Sequence, residues 1–410
     1  MKEEQKQTQE IQVTSGRRQF LTRTLVSAAT VAGVATVGNV NQAFASPLAS
    51  TLPQSPLDDH AANDLMLGHD LSTLQQLEDA GKTFSDNGRV APAERILAYH
   101  GATYVRERLW VNPPLPYNDL PHILKIARRI KEAGLKFLLD IHYSDFWADP
   151  GNQTTPKAWQ GQDLATLAKT VYSYTRNVIE SLANQGTPVD MVQIGNEVTN
   201  GMLWPLGEIY VNGNQYWPQF ATLLKAGITG AQDGSRGNHQ PLIMVHIDRG
   251  GDNGGSKYFY DNLFSQGVDF DVIGLSYYPW WHGPLSALQA NLNDLAIRYN
   301  RDIVVVETAY PWTLADGDGY ANIVTAQTAL VPAYAATPAG QLGYVSALLA
   351  ILRQTPRQHG RGVMWWESAW IPGAGWEPGA GDAWDNMTLF DFTGKALSSV
   401  KIYEGAKLHS

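Results

Sequence analysis

Two mainly apolar stretches of the chain each end in a glutamate. Residues 189–194 lead into Gly195, Asn196 and Glu197, and residues 303–306 lead into Glu307. An unpaired carboxylate is costly to bury, so a glutamate at the end of a buried strand needs either a partner or a function. Two carboxylates on separate strand ends are the equipment of a two-carboxylate glycosidase. The alternative is that each glutamate only caps a strand or forms a structural ion pair.

Repeated apolar stretches along the chain predict the elements that would position these carboxylates. Eight β-rich stretches occur at residues 65–67, 104–110, 137–143, 191–197, 242–246, 272–278, 303–307 and 362–367. Helix-like segments occupy 91–99, 120–133, 164–185, 216–231, 285–299 and 340–353, with a short one near 258–264 and a last one at 396–406. Apolar strands that alternate with helices indicate a parallel sheet covered by helices.

We therefore predict an α/β fold, a (β/α)8 TIM barrel with enlarged βα loops. A doubly wound open sheet is the rival fold. It is disfavoured because no predicted strand is followed by a glycine-rich phosphate-binding turn.

Polar side chains concentrate at the carboxyl ends of the predicted strands, which share one face in a TIM barrel. They are Arg106, Arg108, Asp140, His142, Tyr143, Asp145, Asn196, Glu197, His246, Asp248, Ser276, Tyr278, Glu307, Trp366 and Glu367. A structural role explains any one of these residues more easily than it explains the whole ring. The ring predicts an active site at this face.

Composition excludes several classes of function. The chain has 410 residues, of which 44% are hydrophobic, and it contains no cysteine. Disulfides, thiolate metal sites and a cysteine nucleophile are therefore absent. A formal net charge of −9 argues against a nucleic-acid partner and against an anionic membrane surface. The 13 tryptophans suit stacking against sugar faces as well as core packing.

The first residues read as an export signal. Arg17 and Arg18 precede a modest apolar stretch, residues 25–40, and an Ala-Phe-Ala cleavage site ends at Ala45. We predict a twin-arginine-type signal peptide over residues 1–45, a linker over 46–63 and a single catalytic domain over 64–410. The protein would then be periplasmic or extracellular, with no membrane association after cleavage. An ordinary secretory signal is the alternative, and it leads to the same destination.

Several motifs together resemble those of glycoside hydrolase family 53, the arabinogalactan endo-β-1,4-galactanases. The most specific is Asp-Ile-His-Tyr-Ser-Asp-Phe-Trp-Ala-Asp-Pro at 140–150, since chance rarely matches a run of that length. Further matches lie at 104–113, 194–197, 274–279, 305–308 and 366–372, so the resemblance extends over essentially the whole mature chain. It implies a retaining (β/α)8 barrel with catalytic glutamates on strands 4 and 7.

The resemblance implies that Glu197 is the general acid/base and Glu307 the nucleophile. A retaining mechanism needs the two carboxyl groups about 5–5.5 Å apart. Glu307 must be ionised, so it needs a nearby cation and hydrogen-bond donors, for which Tyr278 and an arginine are the candidates. Strand alternation places Arg106 and Arg108 on the same side, and we predict that Arg106 faces Glu307.

Other site residues follow from the same resemblance or, for Trp147 and Trp204, from their positions in loops. Asn196 would bind the sugar 2-hydroxyl, and Trp366 would lie under the reacting ring. Trp147 and Trp204 are predicted to wall subsites rather than to fill the core, whereas Trp280, Trp281, Trp312 and Trp370 are left open. The remaining predicted substrate-binding or supporting residues are Asp140, His142, Asp145, His246, Asp248 and Ser276. His142, His246 and Asp140 could instead converge on a metal, but the family uses them to hold substrate and neighbouring side chains.

Two departures from the family pattern limit what can be carried over. After His246-Ile247-Asp248 the family usually continues with Asn-Gly, whereas this chain has Arg-Gly-Gly-Asp-Asn at 249–253. Residues 316–322, Asp-Gly-Asp-Gly-Tyr-Ala-Asn, resemble a calcium loop of bacterial family members, but Tyr320 stands where they have histidine. We predict one structural Ca²⁺ held by Asp316, Asp318 and Asn322. An acidic turn without an ion is the alternative.

The sequence therefore predicts an exported, retaining endo-β-1,4-galactanase that hydrolyses the galactan side chains of pectic arabinogalactan. Its partner would be the polysaccharide, it would act as a monomer, and its chemistry would need no cofactor. One rival is a retaining enzyme of the same clan that acts on another β-linked polymer, such as mannan or xylan. The other is a non-catalytic barrel that only binds sugar.

Overall fold

The structure is a computed structural model that describes residues 65–235 and 239–404. The predicted signal peptide, 1–45, and the predicted linker, 46–63, lie outside the described residues and stay predictions. Within the described part of the chain, no helix is both long enough and apolar enough to cross a bilayer.

Eight parallel strands form a closed barrel in chain order, which confirms the predicted (β/α)8 fold. They are β1 (Met66–Asp70), β2 (Tyr104–Leu109), β3 (Lys136–Ile141), β4 (Met191–Ile194), β5 (Leu242–Ile247), β6 (Val272–Ser276), β7 (Asp302–Thr308) and β8 (Gly360–Trp365). Each strand pairs with the next, and β8 pairs with β1. All eight carboxyl ends therefore open on one face.

Helices cover the outside of the barrel. They are α1 (Leu74–Asp79), α2 (Ala93–Tyr99), α3 (Leu120–Glu132), α4 (Leu164–Asn184), α5 (Trp217–Gly234), α6 (Asn253–Ser265), α7 (Pro279–His282), α8 (Leu285–Tyr299) and α9 (Pro338–Gln354). Several begin where an Asp or Thr side chain accepts a backbone N–H of the first turn, as at Asp119, Asp163 and Thr337. The sequence pattern did not predict α1 and α7, and α6 is longer than the segment predicted near 258–264, because Asp252 caps it earlier.

The predicted last helix, 396–406, is wrong over the described residues. Only a short 3₁₀ helix forms there, Ser398–Lys401. The backbone N–H groups of Ala396 and Leu397 donate to Ser85 and Leu389 at 2.8 and 3.0 Å, so the segment is drawn along its neighbours as an extended chain. Residues after 404 lie outside the described part.

Two apolar layers hold the barrel together. One fills the barrel interior with alternate residues from all eight strands, namely Met66, Tyr104, Leu138, Met191, Met244, Val272, Val304, Val306 and Met364. The other lies between strands and helices and includes Val105, Leu139, Val305 and Val363. Residues of the interior set mark which side of each strand faces the barrel axis.

A bulge in β7 decides where Glu307 points. Val304 and Val306 belong to the interior layer, so simple alternation would turn Glu307 outward with Val305. The register with β6 shifts here, pairing Leu275 with Val305 but Ser276 with Glu307. The extra residue, Val306, re-aims the following side chain into the barrel mouth, which is a common use of a bulge beside an active site.

Candidate active site

Arg106 lies at the centre of a buried polar network at the carboxyl ends of the strands. Its side chain is only 1% exposed, and it donates to Asp70 at 2.7 Å, to Asp140 at 2.8 Å and to Asn196 at 3.0 Å. Its Nη2 also lies 2.9 Å from Oε1 of Glu307. The structure thus places Arg106 against Glu307, as predicted.

Arg108 has a different role, although it projects from the same side of β2. Its guanidinium bonds to Glu367 and, at 3.0 Å, to the hydroxyl of Thr73. The guanidinium carbon also lies 4.3 Å from the ring centre of Trp147, a cation–π contact. Arg108 therefore holds a loop tryptophan and the end of β8 in place rather than a reacting carboxylate.

Glu307 is held on both oxygens. Oε1 faces Arg106, and Oε2 accepts a hydrogen bond of 3.1 Å from the hydroxyl of Tyr278. Burial raises the pKa of Glu307, to about 7, while Arg106 and the Tyr278 hydrogen bond act in the opposite direction. The carboxylate form is thus stabilised by a cation and a donor inside an otherwise desolvating site.

Glu197 lies just past the end of β4 in a left-handed conformation, with φ 45°. Such a conformation costs a non-glycine residue about 1–3 kcal/mol and often marks a functional position. Tyr143 and Glu367, which follow β3 and β8, share it, with φ 53° and 47°. Ser276 at the end of β6 donates to Oε1 of Glu197 at 2.6 Å.

His246 orients that serine. The single proton of the Ser276 hydroxyl goes to Glu197, so Ser276 can only accept from His246. Nδ1 of His246 then accepts from the side-chain amide of Gln193 at 3.0 Å, with Oδ1 of Asn196 3.1 Å away. Burial, followed by the charge of Arg106, lowers the pKa of His246 well below its usual value, which keeps the ring neutral. Nε2 then carries the proton and donates to Ser276 at 2.8 Å.

The resulting chain of donors leaves Oε2 of Glu197 free of hydrogen bonds from the described residues. Burial raises the pKa of Glu197 well above its ordinary value, and the negative charge of Glu307 and then of Asp248 raises it further. The charge of Arg106 lowers the pKa of Glu307, whereas no cation in the described part of the chain contributes in this way to the pKa of Glu197. Glu307 is therefore the first of the two to lose its proton, and Glu197 is the one that keeps it.

Asp140 and His142 form a layer beneath the carboxylates. Asp140 is fully buried and contacts Arg106, His142 and Gln193 at 2.6–2.9 Å. His142 accepts from the indole of Trp110 and from the backbone of Ala148. These two residues position other side chains.

Asp145 and Asp248 belong to the loops. Asp145 accepts from the backbone N–H of Lys157 and so ties down the loop after β3. Asp248 accepts from Thr199, two residues after Glu197, at 2.5 Å. Asp248 is therefore linked directly to the segment that carries the predicted acid/base, whereas Asp145 is not.

Tryptophans line one side of the barrel mouth. Trp147 is half-buried, and its ring lies nearly parallel to Trp370, with centres 6.2 Å apart, and 5.0 Å from Trp376. Trp366 packs against Trp376 and, edge-on at 4.6 Å, against Trp384. Trp366, Trp370 and Trp384 are all buried, so the ring surfaces left for a ligand belong to the half-buried Trp147 and Trp376.

Of the other tryptophans that the sequence singled out, Trp280 and Trp281 border this group, with ring centres 6.2 and 6.4 Å from that of Trp384. Trp204 is half-buried and donates to the carbonyl of Asn200, beside the Glu197 segment. Trp312 packs on Phe392, with ring centres 4.9 Å apart. Trp280 is half-buried and Trp281 is 40% exposed, both beside Tyr278.

Sequence reasoning missed three members of this site. Asp70 was missed because the first strand was predicted to end at Leu67, whereas β1 continues to Asp70. Gln193 is a polar residue inside an apolar strand, and that contrast could have singled it out. Trp376 lies in a loop after β8, and nothing in its local sequence distinguishes it from a core residue.

The acidic loop after β7 gains a partner from a distant segment. Carboxylate oxygens of Asp316, Asp318 and Asp385 lie within 4.8 Å of one another. Asn322 donates to Asp385 at 2.9 Å, and its own Oδ1 is buried without a hydrogen-bond partner among the described residues. Calcium takes about six to eight oxygen ligands, and these residues offer oxygen only, so they fit part of the coordination shell of the predicted ion. Asp385 is the member that the sequence did not suggest.

Comparisons with known proteins agree in pointing to one family. The model of the family described as "Glycosyl hydrolase family 53" matches residues 66–403. A protein of Niallia circulans described as uncharacterized is 45% identical over 341 residues, which cover 82% of this chain and 92% of the relative. A probable arabinogalactan endo-beta-1,4-galactanase A of Aspergillus terreus is 40% identical over 336 residues, covering 80% of this chain and 92% of the relative. The solved structure of the Ignisphaera aggregans GH53 catalytic domain matches with a TM-score of 0.78 at 36% identity, covering 86% of this chain and 98% of that one.

Proposed function

This chain belongs to glycosyl hydrolase family 53 and is a glycoside hydrolase, and from that premise we propose that it is an exported, retaining endo-β-1,4-galactanase. Its substrate would be the β-1,4-galactan of pectic arabinogalactan, in keeping with the activity that the Aspergillus terreus relative is named for. The single observation that carries the mechanism is the difference in the contacts made by the two glutamate side chains. The carboxylate of Glu307 contacts Arg106 and Tyr278, whereas among the described residues the carboxyl group of Glu197 has a hydrogen bond only from the hydroxyl of Ser276. Export rests on residues 1–45 alone.

In the first step Glu307 attacks the anomeric carbon and the glycosidic bond breaks. The leaving oxygen takes the proton of Glu197, which lies on Oε2 because Oε1 already accepts from Ser276. The product is a glycosyl ester of Glu307 and a free sugar hydroxyl. Arg106 and Tyr278 hold the carboxylate of Glu307 in position for attack.

In the second step water hydrolyses that ester. Once Glu307 is esterified, its negative charge is gone. That charge was the largest contribution after burial to the raised pKa of Glu197, so the pKa of Glu197 falls. Glu197, now ionised, accepts a proton from the attacking water and returns to its starting form. Two inversions at one carbon give net retention.

Asn196 is suited to the sugar next to the nucleophile. Its Oδ1 accepts from Arg106, and its amide donates to the carbonyl of Ala148 at 2.9 Å, so the side chain cannot turn away from the cleft. A fixed amide beside both glutamates can bind a hydroxyl group whose hydrogen bond tightens in the transition state.

The substrate is tested by comparing polymers. We expect purified wild-type protein to release reducing ends from β-1,4-galactan at least about a hundredfold faster than from mannan, xylan or cellulose, because sites built for one sugar leave buried polar groups unpaired with another. Product sizes by chromatography distinguish internal cleavage from release of single sugars. Faster cleavage of mannan or xylan would favour the same-clan alternative. No cleavage of any polymer, with oligosaccharide binding retained, would favour the sugar-binding alternative.

We also propose a structural Ca²⁺ at Asp316, Asp318, Asn322 and Asp385. Three carboxylates so close together repel one another, and the unpartnered oxygen of Asn322 lacks a cation or donor. No step of the reaction passes through this ion, which would tie the loop after β7 to the segment at Asp385. The side chains offer oxygen ligands only, as calcium prefers.

Chelation tests the ion through stability. At a free calcium concentration a hundred times the Kd, binding adds about 2.7 kcal/mol to the free energy of unfolding. Removing calcium is therefore expected to lower Tm by about 5 °C. Calorimetry with EDTA, and then with calcium restored, measures the shift. Asp318→Asn is the paired variant, since it removes a ligand and should melt at the same temperature with and without chelator. A wild-type Tm that EDTA leaves unmoved would contradict the proposal.

A further inference from the structure

The turn after β5 departs from the family pattern and is firmly built. The carbonyl of Arg249 accepts from the buried side chains of Ser256, at 3.0 Å, and Asn291, at 2.9 Å. Its guanidinium Nη1 donates to Asp252 at 2.7 Å, and Asp252 in turn caps α6 through the N–H of Gly255. Both the backbone and the side chain of Arg249 are therefore held before any ligand arrives.

Glycines after Arg249 press this turn onto the neighbouring loop. The N–H of Gly250 donates to the carbonyl of Ser276 at 3.0 Å. A Cβ at Gly251 would lie 1.7 Å from the carbonyl oxygen of His282, so no larger residue fits there. The Gly-Gly pair thus fixes Arg249 at the rim beside the strand end that carries Ser276.

Arg249 lies on the side of the cleft toward which the leaving sugar must extend. Glu197 gives its proton to the leaving oxygen, so that sugar lies beyond Glu197 as seen from Glu307. Asp248 accepts from Thr199 at 2.5 Å, which joins the turn after β5 to the segment just past Glu197. The adjoining Arg249 has a side chain 31% exposed, and its Nη2 makes no hydrogen bond to the described residues.

A hairpin in the loop after β4 brings an aromatic ring to the same place. Tyr210 and Val211 pair with Asn214 and Gln215 around a two-residue turn. Gln215 anchors the hairpin, because its Oε1 accepts from Trp217 at 2.9 Å and from Tyr258 at 2.7 Å. Tyr210 itself stays 39% exposed.

Hydrogen bonds place that ring beside the turn after β5. The N–H of Ile209, the residue before Tyr210, donates to the carbonyl of Asn200 at 3.0 Å, and the neighbouring Thr199 donates to Asp248, the residue before Arg249. Burial of part of the Tyr210 side chain raises the pKa of its hydroxyl to about 12, and the nearby charge of Arg249 opposes the rise. The same interaction, seen from the other side, contributes to the raised pKa of Arg249. The two side chains therefore border one space, although they come from different loops.

We propose that Tyr210 and Arg249 form a leaving-group subsite that binds a galactosyl unit of the substrate downstream of the bond being cut. The proposal rests on the proposed galactanase function and deepens it. The ring of Tyr210 supplies a flat apolar surface for the C–H face of the sugar, and the free edge of Arg249 donates to its hydroxyl groups. Asp248 is the acceptor next to it, so the subsite offers both donors and acceptors to a neutral sugar.

The test compares two leaving groups in the same enzyme. Galacto-oligosaccharides place a sugar in the proposed subsite, whereas a nitrophenyl galactobioside places a phenolate there that has no hydroxyl groups to bind. The measured quantity is the ratio of kcat/KM on galactohexaose to kcat/KM on the aryl substrate. We expect Arg249→Gln and Tyr210→Ala each to lower this ratio by about tenfold.

Matched controls come from the opposite face of the barrel. Arg298 forms an Asp261 ion pair much like that of Arg249 and Asp252, and Tyr99 is an exposed tyrosine at the end of α2. Arg298→Gln and Tyr99→Ala should keep the wild-type ratio. Since Tyr210 and Arg249 lie on separate loops, a disturbed turn in one variant leaves the other as an independent test.

A ratio that stays within about twofold of wild type in either variant would overturn the subsite, as would equal losses on both substrates. The proposed substrate is judged separately, by the wild-type comparison of polymers. If the wild type cuts another β-linked polymer instead, the same ratio measured with oligosaccharides and aryl glycosides of that sugar still tests the subsite.

Discussion

Glu307→Gln is expected to lower kcat/KM on galactan by about 10⁴-fold or more, because an amide cannot form the glycosyl ester through which the reaction runs. The fold should survive, since Arg106 keeps its ion pairs with Asp70 and Asp140 when the third carboxylate is lost. Initial rates of reducing-end release measure the loss, and thermal melting checks the fold. Glu132→Gln is a matched control, because Glu132 is exposed on α3 and, in the part of the chain that the structure describes, pairs only with Arg95 at the surface.

A covalent label separates this role from simple electrostatic support. A 2-deoxy-2-fluoro galactoside with a good leaving group should stall wild-type enzyme as the ester, and peptide mass analysis should find the sugar on Glu307. The Glu307→Gln variant should take up no label. Full activity in that variant, or a label on a different residue, would show that the nucleophile has been assigned wrongly.

Glu197→Gln is expected to lower kcat/KM on galactan by about 10³-fold or more, because a sugar alkoxide is a poor leaving group without a proton donor. A dinitrophenyl galactoside needs no such proton, so its first step should be affected far less. In Glu197→Ala, added azide should restore turnover of that substrate and yield a galactosyl azide of retained configuration. Equal losses on both substrates would argue against Glu197 as the acid.

The pH dependence checks the same assignment. The active form carries an ionised Glu307 and a protonated Glu197. Burial raises the pKa of Glu307 to about 7, and burial together with the charge of Glu307 raises that of Glu197 well above its ordinary value. Activity should therefore rise with pH as Glu307 loses its proton and fall at higher pH as Glu197 loses its own. The alkaline fall should disappear in Glu197→Gln, whose amide does not titrate.

Much of the fold was readable from the sequence for a simple reason. Apolar strands in a parallel barrel are buried on both sides, so stretches such as 104–110 and 272–278 stand out from the amphipathic helices between them. The two glutamates stood out because each interrupts an apolar stretch where a strand should end. The His-Tyr-Ser-Asp-x-Trp-Ala-Asp-Pro run at 142–150 then identified the family.

Boundaries and short elements were harder to predict, because long-range pairing decides them. β1 extends to Asp70 because its ladder with β2 continues to the pair of Asp70 with Arg106, which local sequence does not reveal. The segment at 396–404 has a helix-like composition, yet its backbone bonds to Ser85 and Leu389 instead. In both cases a contact far away in sequence outweighed local preference.

What the sequence by itself determined is which residue types stand at the strand ends, and hence the fold, the family and the pair of carboxylates. The tertiary structure decided which of them meet. Alternation would have turned Glu307 away from the barrel axis, and only the bulge at Val306 against β6 aims it at Arg106. Alternation likewise places Arg106 and Arg108 on the same side of β2 and does not distinguish them. In the structure Arg106 pairs with Glu307, whereas Arg108, farther along the strand, pairs with Glu367. Side-chain direction at a strand end depends on the register with neighbouring strands, and register is a property of the closed sheet rather than of any one segment.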